Sequence, residues 1–73
     1  MLQKTISELS DKALQALQTS PIYPLRLLRV EELDDALVIS GHVPTFYCKQ
    51  LAQEAVRAIA PDRNIINNID VFP

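Results

Sequence analysis

The sequence has one cysteine, one histidine and one glycine in 73 residues, and each scarcity removes a class of explanation. With no second cysteine the chain closes no disulfide within itself, and a lone Cys48 fits a reducing compartment or indifference to redox state. A structural zinc site takes about four ligands, and Cys48 with His42 falls short of that set. Basic residues are also few: seven Lys and Arg against nine Asp and Glu give a formal net charge of -2. A nucleic-acid partner is therefore not expected, since such binders normally carry a basic stripe. No run approaches the roughly 18 apolar residues of a membrane span. The opening Met1-Leu2-Gln3-Lys4 lacks a signal-peptide core, so a cytoplasmic location is expected, or a periplasmic one if a leader has been removed.

What is present organises itself around residues 36–60. Leu37, Ile39, Gly41 and Val43 alternate with Val38, Ser40 and His42, the period-2 pattern of a strand. After Pro44 the period changes. Cys48, Leu51, Ala52, Ala55 and Ile59 recur at helical spacing, with Thr45 as N-cap and Pro61 as the stop. Gly41, the only glycine, falls on the helix-facing side of its strand. It is expected either to let the following helix approach closely or to mark a bulge. Gly41 and Pro44 are thus the candidate structural positions.

Upstream, Thr5, Ile6, Ser7 and Glu8 fit a capping box, and Ile6, Leu9, Ala13 and Leu17 share one face. A first helix over 6–18 follows, ended by Thr19-Ser20-Pro21. Pro21-Ile22-Tyr23-Pro24 reads as a stiff connector, and residues 25–33 as an extended stretch with Leu28 and Val30 on one face. The tip Glu31-Glu32-Leu33-Asp34-Asp35 holds four carboxylates without a glycine, and a hairpin into Ala36 is expected because Asp tolerates turn conformations. A last strand over 65–72 puts Ile65, Asn67, Ile69 and Val71 on one face, with Ile66, Asn68, Asp70 and Phe72 on the other.

The order helix-strand-strand-helix-strand predicts one α/β (α+β) two-layer domain spanning residues 1–73. Two helices cover one face of a three-stranded, mixed sheet. The sequence does not settle whether the third strand lies beside the second or the first. A core this small supplies only roughly 3–5 kcal/mol, so a homodimer through the second sheet face or an open strand edge is an alternative to a monomer.

This order, with Leu37-Val38-Ile39-Ser40-Gly41-His42-Val43 at its centre and Asn67-Asn68-Ile69-Asp70-Val71 at its end, resembles the BON domain family. The stretch from Gly41 through Cys48 to Gln53 is similar to a small stand-alone bacterial subgroup. Asp34-Asp35 and Asp62-Arg63-Asn64-Ile65 depart from the glycine-containing turns usual in that family. The resemblance implies a non-catalytic module that binds phospholipid or a protein partner, often in the periplasm and often attached to larger proteins.

The residues themselves argue against an enzyme. A Cys–His pair needs an exposed thiolate beside the imidazole. Here Cys48 sits mid-stripe as a small hydrophobe, while His42 turns to the other sheet face. No cofactor is expected. The candidate ligand or partner surface is the outer side of the second helix: Phe46, Gln50, Gln53 and Arg57, flanked by Tyr47 and Lys49. Aromatics beside basic and amide groups suit an anionic phospholipid surface or a protein partner. Phe46 either takes part in that surface or folds back over the sheet edge beside Pro44.

Overall fold

Thr45 is where the central unit changes from strand to helix. Its backbone is extended (φ -138°, ψ 155°), and its hydroxyl accepts a hydrogen bond from the Cys48 amide at 3.1 Å. That bond satisfies one of the orphan N–H groups of a helix start. The computed structural model describes residues 8–73 and orders the elements as α1 (Glu8–Gln18), a 3-10 segment (Tyr23–Leu27), β1 (Arg29–Leu33), β2 (Ala36–Val43), α2 (Phe46–Ile59) and β3 (Asn64–Val71). The capping box expected from Thr5 and the apolar Ile6 lie outside the described residues.

The sheet order is β1-β2-β3. β1 pairs antiparallel with β2, from Arg29 opposite Ser40 to Leu33 opposite Ala36. β3 lies beside β2 and runs parallel to it, with Leu37 opposite Ile65 and Val43 opposite Val71. The sheet is therefore mixed, and the position of the third strand is settled. Leu37, Ile39 and Val43 of β2 and Ile69 of β3 share one buried cluster with Ala13 and Leu17 of α1 and Cys48, Ala52 and Val56 of α2. Both helices thus cover the same sheet face, and the opposite face carries exposed Arg29, Glu31, His42, Asn68 and Asp70.

Three expectations need correction. The first concerns residues 25–27, which are not extended. Pro24 lacks an N–H, the Leu25 amide donates to the Ile22 carbonyl at 3.0 Å, and the Leu28 amide donates to the Leu25 carbonyl at 3.3 Å. A 3-10 turn puts residues three apart on one side. Leu25 and Leu28 accordingly both enter the core while Leu27 faces out. The second concerns α2, whose buried centre is Cys48, Ala52 and Val56, with Leu51, Ala55 and Ile59 only partly covered. The apolar stripe is rotated towards β3 relative to its reading from Leu51 and Ile59.

The third concerns Gly41. Its backbone has φ 126°, and a Cβ there would come 2.8 Å from Leu28 Cδ2. The neighbour is the residue leading into β1, not α2. The side-chain end can move aside, but the left-handed backbone strains any other residue.

The acidic tip closes as a hairpin with Leu33 opposite Ala36 and Asp34 at φ 55°, so Asp does take the role for which glycine is commoner. Arg63, after α2, clamps this tip. Its guanidinium lies 2.7 Å from a Glu32 carboxylate oxygen and donates to the Asp35 carbonyl at 3.3 Å.

Candidate functional site

The chain contains two Phe, two Tyr and no Trp. Aromatic side chains carry the largest apolar areas and ordinarily dominate a core. Here the buried set contains none of them: Tyr23 is 62% exposed, Phe46 65%, Tyr47 69% and Phe72 54%. Phe46 therefore stands out from the sheet edge rather than folding over it.

All four rings gather at one end of the sheet, the end where β2 and β3 finish. The Phe72 amide donates to the Val43 carbonyl at 3.0 Å, extending the β2–β3 pairing one step past Val71. Phe46 and Tyr47 open α2 just after Pro44 and Thr45. Tyr23 reaches the same end on the 3-10 segment, and with Pro44 and Phe72 it borders one trough. Arg26 sits over the Tyr23 ring at 5.7 Å, a cation–π distance, and its Nε donates to the Ser20 carbonyl at 2.8 Å. Arg29 opens β1 at this same end.

The carboxylates of Asp34 and Asp35, in the turn between β1 and β2, occupy the other end, with Glu32 one step in from it and Glu31 opposite Val38 in mid-sheet. The eight residues of β2 separate the two ends by roughly 23 Å, at about 3.3 Å per step. That is about three Debye lengths at physiological ionic strength.

The six residues of the candidate helix face divide. Phe46, Tyr47, Gln50 and Arg57 are exposed on the outer side of α2, with Glu54 beside them. Gln53 and Lys49 are half-buried against β3. Asn67 Nδ2 donates to Gln53 Oε1 at 3.0 Å and to the Lys49 carbonyl at 3.1 Å. The same side chain accepts from the Ile69 amide through Oδ1 at 3.2 Å. Gln53 thus belongs to a clip between α2 and the edge strand rather than to the free surface. Periodicity put Asn67 on the helix-facing side of β3, which was the one signal for this clip.

His42 and Cys48 are on opposite sides of the sheet. The Cys48 thiol is buried under α2. The His42 ring lies on the open face, stacked on Phe72 with 4.8 Å between centroids and 7° between planes. Among the described residues, no group of three or more His, Cys, Asp or Glu is placed to share a metal ion, and no helix is long and apolar enough to cross a membrane.

The feature that sequence reading missed is the trough. It encloses about 500 Å³ between the 3-10 segment and the ends of β2 and β3. Its lining residues come from separate parts of the chain, brought together by the pairing of β1 and β3 on β2 and by the packing of the 3-10 segment.

No protein-family model matches this chain, and no curated protein is significantly similar to it.

Proposed function

We propose that the chain is a non-catalytic, BON-type binding module that docks on an anionic phospholipid surface with its aromatic end. The observation that carries this reading is the exposure of all four aromatic rings at one end, beside Arg26 and Arg29 and away from the acidic turn. Rings with one apolar body suit the interfacial layer of a bilayer. If about 50 Å² of each ring enters that layer, each contributes roughly 1 kcal/mol at about 25 cal/mol per Å². Each arginine close to an anionic surface adds about 1 kcal/mol. Asp34 and Asp35 oppose this only weakly, because about three Debye lengths of electrolyte screen them, whereas Glu31, one pleat from Arg29, and Asp70, opposite His42, lie closer and keep the attachment weak. Weak, reversible and salt-sensitive attachment is the expected behaviour.

Co-sedimentation with phosphatidylglycerol vesicles and with phosphatidylcholine vesicles, at low and high salt, tests the reading. The protein should pellet with the anionic vesicles, less so at high salt. The Phe46→Ala/Tyr47→Ala variant should lose most of that binding while melting at nearly the wild-type temperature. Absence of pelleting with either lipid at low salt rules the reading out.

A second reading has its own observation. The open sheet face exposes Leu33 (60%) and Ile66 (43%), apolar area suited to a protein partner or to a second copy of the chain. Concentration-dependent self-association without vesicle binding would favour it.

A further inference from the structure

We infer that the trough at the aromatic end is a ligand site for one small amphipathic anion: a flat apolar body carrying a phosphate or carboxylate head. This does not depend on the membrane reading, because the ligand would be a soluble monomer. A volume of about 500 Å³ lies within the range of small-molecule pockets, roughly 300–1,000 Å³.

The walls explain the flat body. On one side His42 and Phe72, both lining the trough, stack nearly parallel, 7° apart, and a parallel stack leaves a flat outer ring face on which a further planar group can add. On the other, Tyr23 and Leu27 project from the 3-10 segment and remain 62% and 64% exposed. Gly41 lies between them in the lining.

The charge at the inner end explains the anionic head. Arg29 and Ser40 are direct cross-strand partners on the open face, and both line the trough, which places a guanidinium-bearing and a hydroxyl-bearing residue side by side on β1 and β2. His42 follows Ser40 on the same side of β2. A guanidinium with a neighbouring hydroxyl is a donor set for a phosphate or carboxylate. The carboxylate closest in register is Asp70, which is opposite His42 across β2 and β3. It is not among the residues lining the trough. Glu31 lies one pleat further from the trough than Arg29, opposite Val38. Arg26, outside the rim over Tyr23, adds a second positive charge.

The test uses ¹⁵N-labelled protein titrated with 1-naphthyl phosphate and with 1-naphthoate, followed by amide shifts. Inorganic phosphate and 1-naphthol serve as head-only and body-only controls. Saturable shifts at Ser40, Gly41, His42 and Phe72 are expected with at least one of the two anions, with at least tenfold weaker binding of either control. Arg29→Gln and Phe72→Ala should each weaken the anion about tenfold, with both variants melting as wild type does. Because Arg29 and Phe72 are exposed, loss of the fold is not expected; if Phe72→Ala does unfold the protein, Arg29→Gln alone decides. Shifts scattered over the molecule without saturation, or binding unchanged in Arg29→Gln, overturn the inference.

Discussion

Replacing Asn67 by Ala removes one side chain that makes three hydrogen bonds at once. Its Nδ2 holds the Lys49 carbonyl and Gln53 Oε1 at 3.1 and 3.0 Å, and its Oδ1 receives the Ile69 amide at 3.2 Å. A net bond of this kind is worth about 1 kcal/mol. The site is half-buried, so water replaces part of what is lost, and the expected cost is roughly 1.5–3 kcal/mol. In so small a domain about 1 kcal/mol moves the melting midpoint by roughly 4–8 °C, so the drop should exceed about 6 °C. Asn68→Ala is the matched control, since Asn68 is exposed on the opposite face of the same strand. It should change stability by less than about 0.5 kcal/mol, as surface substitutions usually do. Asn67→Asp should be worse than Asn67→Ala at neutral pH, because a carboxylate would confront two oxygen acceptors without a proton to donate. Urea melts of the three variants give the comparison. Equal stabilities for Asn67→Ala and Asn68→Ala would show that the clip contributes nothing and that the reasoning is wrong.

Three further outcomes follow from the packing. Leu37→Ala, at a fully buried position, should cost about 2–5 kcal/mol, and Leu51→Ala, half-covered on α2, clearly less; a urea melt in which Leu51→Ala is the more damaging would restore the stripe read from the sequence. Cys48 is buried, so a thiol reagent should label native protein at least about 100-fold more slowly than the urea-unfolded chain, and labelling at the unfolded rate would contradict its place under α2. Gly41→Ala should cost about 1–3 kcal/mol through its φ of 126°, whereas an unchanged melting temperature would mean that the backbone relaxes freely there.

Much of this fold was legible because its signals are local. The change of period at Pro44, the Thr45 cap and the Pro61 stop each lie within one turn of what they specify, and α2 obeys them. The alternation in β2 and β3 gave the correct faces, with Ile39 and Ile69 inward and His42 and Asp70 outward. The 3-10 segment was misread because Leu25, Leu27 and Leu28 satisfy both alternation and a spacing of three. The deciding facts were Pro24 and the backbone bonds donated by the Leu25 and Leu28 amides to the Ile22 and Leu25 carbonyls. The candidate face on α2 was half legible. Phe46, Tyr47, Gln50 and Arg57 are exposed as expected, but Lys49 and Gln53 are half-buried, and the Gln53 side chain is held by Asn67 from another element. The trough was beyond local signals altogether, since Tyr23, His42 and Phe72 border it only once the strand register and the packing of the 3-10 segment are both fixed.

The placement of the aromatics also bears on energetics. The core is built from Leu, Ile, Val, Ala and one Cys. A domain of this size retains only roughly 3–5 kcal/mol of net stability. Fully burying one Phe would contribute about 1.5–3 kcal/mol, a sizeable part of that margin. Leaving all four rings more than half exposed therefore forgoes the largest stabilising terms the composition offers. The acidic turn shows the opposite treatment: Arg63 clamps it through Glu32 and the Asp35 carbonyl, fixing negative charge at the far end of the sheet. On the proposed reading the two facts have one cause. Rings that must meet a partner are kept out of the core, and the carboxylates of Asp34 and Asp35 are held where screening removes them, leaving Asp70 as the acidic group opposite His42 at the aromatic end. Reversing that polarity is a direct check: Asp34→Lys/Asp35→Lys should leave vesicle binding nearly unchanged, whereas Arg26→Glu/Arg29→Glu, at the aromatic end, should abolish it. Equal effects from the two pairs would mean that net charge alone, not the aromatic end, governs attachment.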